Sequence, residues 1–150
     1  MKHIRFLALI AVLAACNNSA NNNPAVAGKS NADSVMDQVM KAHDVGMAKH
    51  NKIEATQKRI QQVIDSISRL PASAQKRSLT YKIQLDSVAR RLASAGNAME
   101  NWMNEFNMDS SLNDMDQRIK YLESEQTKIS KIKDDMISSL QQADSVLGKK

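Results

Sequence analysis

Residues 36–67, MDQVMKAHDVGMAKHNKIEATQKRIQQVIDSI, carry a seven-residue pattern that decides the fold. One position of the repeat holds Met36, His43, His50, Gln57 and Ile64. The position three later holds Val39, Gly46, Ile53, Ile60 and Ile67. Offsets of three and four place these side chains on one face of an α-helix, and Met40 and Met47 widen that face. Upstream, Ser30-Asn31-Ala32-Asp33 supplies an S-x-x-D start signal. Downstream, Leu70-Pro71 ends the helix, because a residue before proline is pushed out of the α region.

Two further segments repeat the logic. Leu85, Leu92, Met99 and Phe106 pair with Tyr81, Val88, Ala95 and Trp102 in the second. In the third, Leu112, Ile119, Gln126, Lys133, Leu140 and Leu147 pair with Met115, Leu122, Ile129, Met136 and Ala143. Its polar members Gln126 and Lys133 are relieved by Ile132 and Ile137, which drift the stripe as a 3.6 period does. No strand-like alternation occurs, and four Gly and two Pro are too few for the turns of a β-protein.

The expected fold is all-α. It is a long antiparallel up-down-up three-helix bundle with coiled-coil-like packing, its helices spanning about 31–70, 72–106 and 110–148. Each helix would be about 50–60 Å long at 1.5 Å per residue. A hairpin that completes its core by forming a homo-oligomer is the alternative. The stripe is thin in branched apolar groups, being filled often by Ala, Met, Gln or His, so modest stability or an oligomer is expected.

The chain begins MKHIRFLALIAVLAAC. Lys2 and Arg5 precede an apolar run from Phe6 to Ala15 that covers only about 15 Å as a helix, half of a hydrocarbon core. Residues 1–15 therefore read as a signal peptide rather than a membrane span. Leu13-Ala14-Ala15-Cys16 resembles the lipobox of bacterial lipoproteins. That resemblance implies cleavage before Cys16, lipidation (diacylglycerol and a palmitate-type acyl chain) on Cys16, and a membrane anchor. It also consumes the only Cys of the chain, so thiol catalysis and cysteine-based metal sites are excluded. Asn17 stands where the family places Asp for inner-membrane retention, and no acidic run follows. The expected location is the outer membrane of the cell envelope, facing the periplasm, where nucleic acid and ATP are not natural partners. Residues 16–30 then form the lipidated Cys and a flexible Asn-rich linker, about 20 Å in root-mean-square span.

Charge is sorted along the chain. Residues 52–91 hold nine basic and three acidic side chains, and residues 100–125 hold seven acidic and two basic. In the expected bundle the end distal to the linker is basic, with Lys76, Arg77, Arg90 and Arg91, and suits an anionic partner such as peptidoglycan or lipid headgroups. The same sorting also serves helix direction and solubility. Trp102, Met103 and Phe106 cluster at the other end, either as a docking patch for an envelope protein or as packing at the bundle end.

Met40, His43, Met47 and His50 share one helix face at offsets of three, four and three. Thioether and imidazole donors suit Cu(I) or Ag(I), and the M-x2-H and H-x3-M spacings resemble those of periplasmic silver- and copper-binding proteins. Equally, Met fills helical cores and His sets register at an interface. Two His and no free Cys make tightly bound zinc the poorer fit. There is no Gly-rich phosphate loop, no H-E-x-x-H and no nucleophile–His–acid set, so an enzyme is not expected.

Val39-Met40-Lys41-Ala42-His43-Asp44 with Met47, Asn101-Trp102-Met103 and Tyr121-Leu122-Glu123 together resemble a group of small uncharacterised bacterial lipoproteins, some labelled "viral A-type inclusion protein". The resemblance implies a helical lipoprotein and supplies no activity. A more distant likeness is to the murein lipoprotein, which shares a lipidated Cys, heptads and a C-terminal Lys, here Lys150. That likeness implies covalent attachment to peptidoglycan through Lys150, while this chain departs from it in length and in having three segments.

Overall fold

The structure is a computed structural model that describes residues 30–148. The expected signal peptide 1–15, Cys16, linker residues 17–29 and Lys150 lie outside the described residues. Among the described residues all regular structure is helical: α1 (Asn31–Ser68), α2 (Ala72–Arg77), α3 (Leu79–Glu105) and α4 (Met115–Val146). None of these helices is long and apolar enough to cross a membrane.

Helix α1 starts where its S-x-x-D signal places it. Ser30 Oγ accepts from the Asp33 N–H at 3.1 Å, and Asp33 Oδ2 accepts from the Ser30 N–H at 3.3 Å, a reciprocal capping box. The helix stops at Ser68, two residues short of the expected end at 70. The Arg69 and Leu70 N–H groups tighten onto the carbonyls of Ser66 and Ile67. Gln75 Nε2 then donates to the carbonyls of Ser68 at 3.0 Å and Leu70 at 2.7 Å, satisfying acceptors that the helix end leaves open.

The span expected as one helix over 72–106 is divided at Ser78. Its N–H is shared between the carbonyls of Ala74 and Gln75, at 3.1 Å each, with φ −91° and ψ 1°, so the backbone tightens by one turn before α3 begins. The last helix begins at Met115 rather than 110. Residues 106–114 form a loop whose backbone groups bond to side chains of the loop itself and of α4. Asn107 Oδ1 accepts from the Asp109 N–H, Arg118 Nη1 donates to the carbonyls of Met108 and Ser110, and Ser111 is left-handed at φ 57°. Asp114 caps α4 by accepting from the Gln117 N–H at 3.0 Å.

The three long helices touch one another pairwise. Gln126 Nε2 donates to Gln38 Oε1 at 2.7 Å, and Lys52 Nζ lies 3.0 Å from Asp144 Oδ2, so partners rise together along α1 and α4. On this register Val146 falls before the last turn of α1. Between α1 and α3 the order is reversed, with His43 against Trp102 and His50 against Glu100.

Burial follows one position of the first repeat closely. Val39, Gly46, Ile53, Ile60 and Ile67 are all buried. At the other position only Ile64 is buried, while Met36, His43, His50 and Gln57 are half-buried at the flank and Thr56 takes the place expected of Gln57. In α3, Leu85, Val88, Leu92, Ala95, Met99 and Trp102 are buried, but Tyr81 is exposed. Near α4, Leu112 and Met115 are exposed, since the first precedes the helix and the second opens it beyond the packed region. Leu122, Ile129, Met136, Leu140 and Ala143 form its buried stripe, with Gln126 and Lys133 at the margin. Each fully buried Ile, Leu or Met side chain contributes about 1.5–3 kcal/mol.

Two apolar clusters result. The larger runs from Val39 to Ala143 and includes Ile53, Leu92, Met99 and Met136. The smaller joins Ala32, Val35 and Leu122, with Met36, Phe106, Ile119 and Tyr121 against them. Gly46 marks the closest approach in the larger cluster, where an added Cβ would collide with the Met99 methyl and sit 3.5 Å from the Met136 sulfur.

Candidate functional site

At the end of the molecule where α1 begins, the last turn of α3 and the following loop fold over one face of α1. The aromatic side chains there form a ladder. The rings of His43 and Trp102 lie 5.7 Å apart, those of Trp102 and Phe106 stack at 4.6 Å, and those of Phe106 and Tyr121 at 6.2 Å. Trp102 is buried and fixed by its polar edge, since the indole Nε1–H donates to Glu125 Oε2 at 2.8 Å. The other carboxylate oxygen, Oε1, accepts from Lys128 Nζ at 2.7 Å. A buried carboxylate is tolerated here because both oxygens are satisfied. The same hydrogen bond to Glu125, aided by its charge, raises the Lys128 ammonium above the ordinary 10.5. The Tyr121 hydroxyl closes the arrangement by accepting from the Asn107 N–H at 2.8 Å, which holds the loop down.

Beside this ladder lies a cleft of about 200 Å³ lined by Met40, His43, Trp102, Met103, Phe106 and Met108. Met103 and Met108 present thioether side chains to solvent, at 38% and 55% exposure. The imidazole of His43 is mostly covered, and its Nδ1 lies 3.0 Å from Asp44 Oδ1. With Nδ1 protonated toward Asp44, Nε2 keeps a free lone pair.

The face of Met40, His43, Met47 and His50 is distributed among three surroundings. Met40 and His43 line the cleft. Met47 packs against the larger core cluster. His50 lies between carboxylates, with Nε2 3.3 Å from Glu100 and Nδ1 3.8 Å from Glu54. Among the described residues, no three His, Cys, Asp or Glu side chains group in a way that would hold a metal ion.

Trp102, Met103 and Phe106 come together as their spacing implies, with Trp102 as a buried support, Phe106 half-buried and Met103 at the surface. Sequence reasoning missed Met108 and Glu125, while the neighbouring Asp44 was legible as a partner of the His43 imidazole. A signal for Glu125 was present, since it stands three residues after Leu122 and four before Ile129 on the apolar stripe. Met108 carried none, because a loop residue follows no period.

The basic side chains sit elsewhere. Lys76 and Arg77 are exposed in the last turn of α2, at the opposite end of α1 from Ser30. Arg90 and Arg91 are exposed on α3, and Arg91 lines a shallow cleft between α3 and α4 with Asp135, Ser138 and Gln142. The two pairs are about 20 Å apart along the chain if α2 and α3 are treated as one helical rod. Comparison with family models, curated proteins and solved structures finds no match.

Proposed function

We propose that this chain is a lipid-anchored, non-enzymatic interaction protein of the bacterial cell envelope. Cys16 carries the lipid, a short linker follows, and an up-down-up three-helix bundle with coiled-coil-like packing stands off an outer membrane into the periplasm. The observation that carries this reading is Leu13-Ala14-Ala15-Cys16 behind Lys2, Arg5 and a ten-residue apolar run. A Cys bearing diacylglycerol and an N-acyl chain meets the requirement of more than one chain for stable anchoring.

The architecture supports it in two ways. Helix α1 has 38 residues, so its far end lies about 57 Å from its start. That far end presents Lys76 and Arg77, a suitable contact for an anionic polymer such as peptidoglycan.

Metabolic labelling with an alkyne analogue of palmitate, in cells making the full chain or Cys16→Ala, tests the anchor. Label and membrane association are expected for the first and absent from the second. A Cys16→Ala chain that still fractionates with membranes overturns the anchor. Co-sedimentation of the detergent-solubilised full chain with peptidoglycan, lost in Lys76→Glu with Arg77→Glu, tests the partner. Retention unaffected by that charge reversal removes the basic end from the interaction.

A further inference from the structure

We infer that the cleft between α1, the end of α3 and the following loop is a binding site for one soft monovalent metal ion, Cu(I) or Ag(I). Its donors are the thioethers of Met40, Met103 and Met108 and the imidazole of His43, and Trp102 forms its wall. The inference does not rest on the envelope reading, because these side chains come together whatever the fate of Cys16.

The chemistry of the lining sets the class of ligand. Thioether and imidazole donors favour Cu(I) over Zn(II), Mg(II) or Ca(II), which prefer thiolates, imidazoles or oxygen. No carboxylate is among the side chains that line the cleft, so hard cations find no oxygen ligand there. Asp44 instead stands behind His43, 3.0 Å from Nδ1. This is the outer-shell carboxylate that orients an imidazole and raises its basicity toward a metal on the other nitrogen. The indole of Trp102 is part of the lining, and its hydrogen bond to buried Glu125 holds the ring in place before any ion arrives.

The exposure pattern points the same way. Met103 and Met108 leave long apolar side chains in water directly beside a cleft, where a closing contact with an ion would cover them. Two members of the α1 face that sequence spacing groups with Met40 and His43 are already engaged elsewhere, Met47 in the core and His50 between Glu54 and Glu100. The donor set therefore comes from three parts of the chain rather than from one helix.

Trp102 is the only tryptophan, so its fluorescence reports this cleft alone. The full chain carrying Cys16→Ser, which removes the one competing thiol, is titrated with Ag(I) in detergent and chloride-free buffer. Quenching that saturates at one Ag(I) per chain is expected, with no response to Zn(II). The double variant Met103→Leu with Met108→Leu, both exposed positions, should lose the saturating quench while keeping its helical circular dichroism and urea midpoint. Asp44→Ala should weaken Ag(I) about tenfold. His50→Ala and Met47→Leu should leave the titration unchanged. The inference is overturned by a quench that never saturates, by an equal response to Zn(II), or by loss in the His50 and Met47 variants with retention in the double Met variant.

Discussion

At the scale of single residues, Glu125 is a carboxylate set on the apolar stripe of α4, between Leu122 and Ile129. Its two oxygens tie the indole of Trp102 to the ammonium of Lys128. Glu125→Leu should destabilise the fold by about 1–3 kcal/mol in urea unfolding, because it strands a buried indole N–H. Glu125→Gln keeps an acceptor and should cost less. Equal losses in the two variants would place the effect in shape rather than in hydrogen bonding. The Lys128 contribution has a definite pH dependence. Its pKa is raised in the folded state, so the stabilisation is fully present below 10.5 and fades as pH climbs through the higher folded value. The stability gap between the native chain and Lys128→Met should therefore stay constant through neutral pH and close in strong alkali. A gap that closes between pH 6 and 8 would contradict this origin. Gly46 illustrates the opposite case. The repeat placed it on the buried face, yet only the packed structure shows that the absence of a Cβ accommodates the Met99 methyl and the Met136 sulfur.

Among the elements, the helices were legible where apolar periodicity and capping chemistry agreed. The start of α1 is the clearest instance, with Ser30 and Asp33 bonded to each other's backbone as their spacing implies. Ser30→Ala should cost about 0.5–2 kcal/mol, and amide exchange should quicken in the first turn of α1 while Ile60 to Ile67 are unaffected. Unchanged exchange at Asp33 and Ser34 would mean that packing of Ala32 and Val35 holds the turn without its cap. The helix boundaries at 78 and 115 were not legible for a physical reason. Ser78 breaks no rule of propensity strongly, and its N–H is shared between two α2 carbonyls, those of Ala74 and Gln75. The 106–114 loop is held by Arg118 and Tyr121, both of which lie on α4 and are distant in sequence from the carbonyl and amide groups they bind. The candidate cleft was half legible for the same reason, since Met40 and His43 fall on one periodic face and Met108 arrives from that loop.

Across the whole molecule, two ends with different chemistry are separated by the length of α1. One gathers the aromatic ladder, the Met-rich cleft and the smaller core cluster. The other carries α2 with Lys76 and Arg77, and leaves Leu70, Leu79 and Ile83 exposed where α4 no longer reaches. The broad sorting of charge was readable from composition along the chain, because it requires only the order of segments. Which apolar side chains stay uncovered was not, because that depends on where α4 stops relative to α1.

The most extensive partner of α1 is α4, the helix furthest from it in the chain, with contacts such as Gln38 to Gln126 and Lys52 to Asp144. Such distant contacts carry a loop-closure cost and slow folding. They also set an order of events during synthesis: α1 is made first, yet it waits unpartnered on its larger face until the final third of the chain is complete. A ribosome-stalled chain ending at residue 114 should accordingly remain protease-sensitive throughout α1, and resistance should appear only once residues past Ala143 have emerged. Early resistance in α1 would show that α3 alone suffices to shelter it. The parallel pairing of α1 with α4 thus ties the shelter of the earliest described helix to the synthesis of the latest.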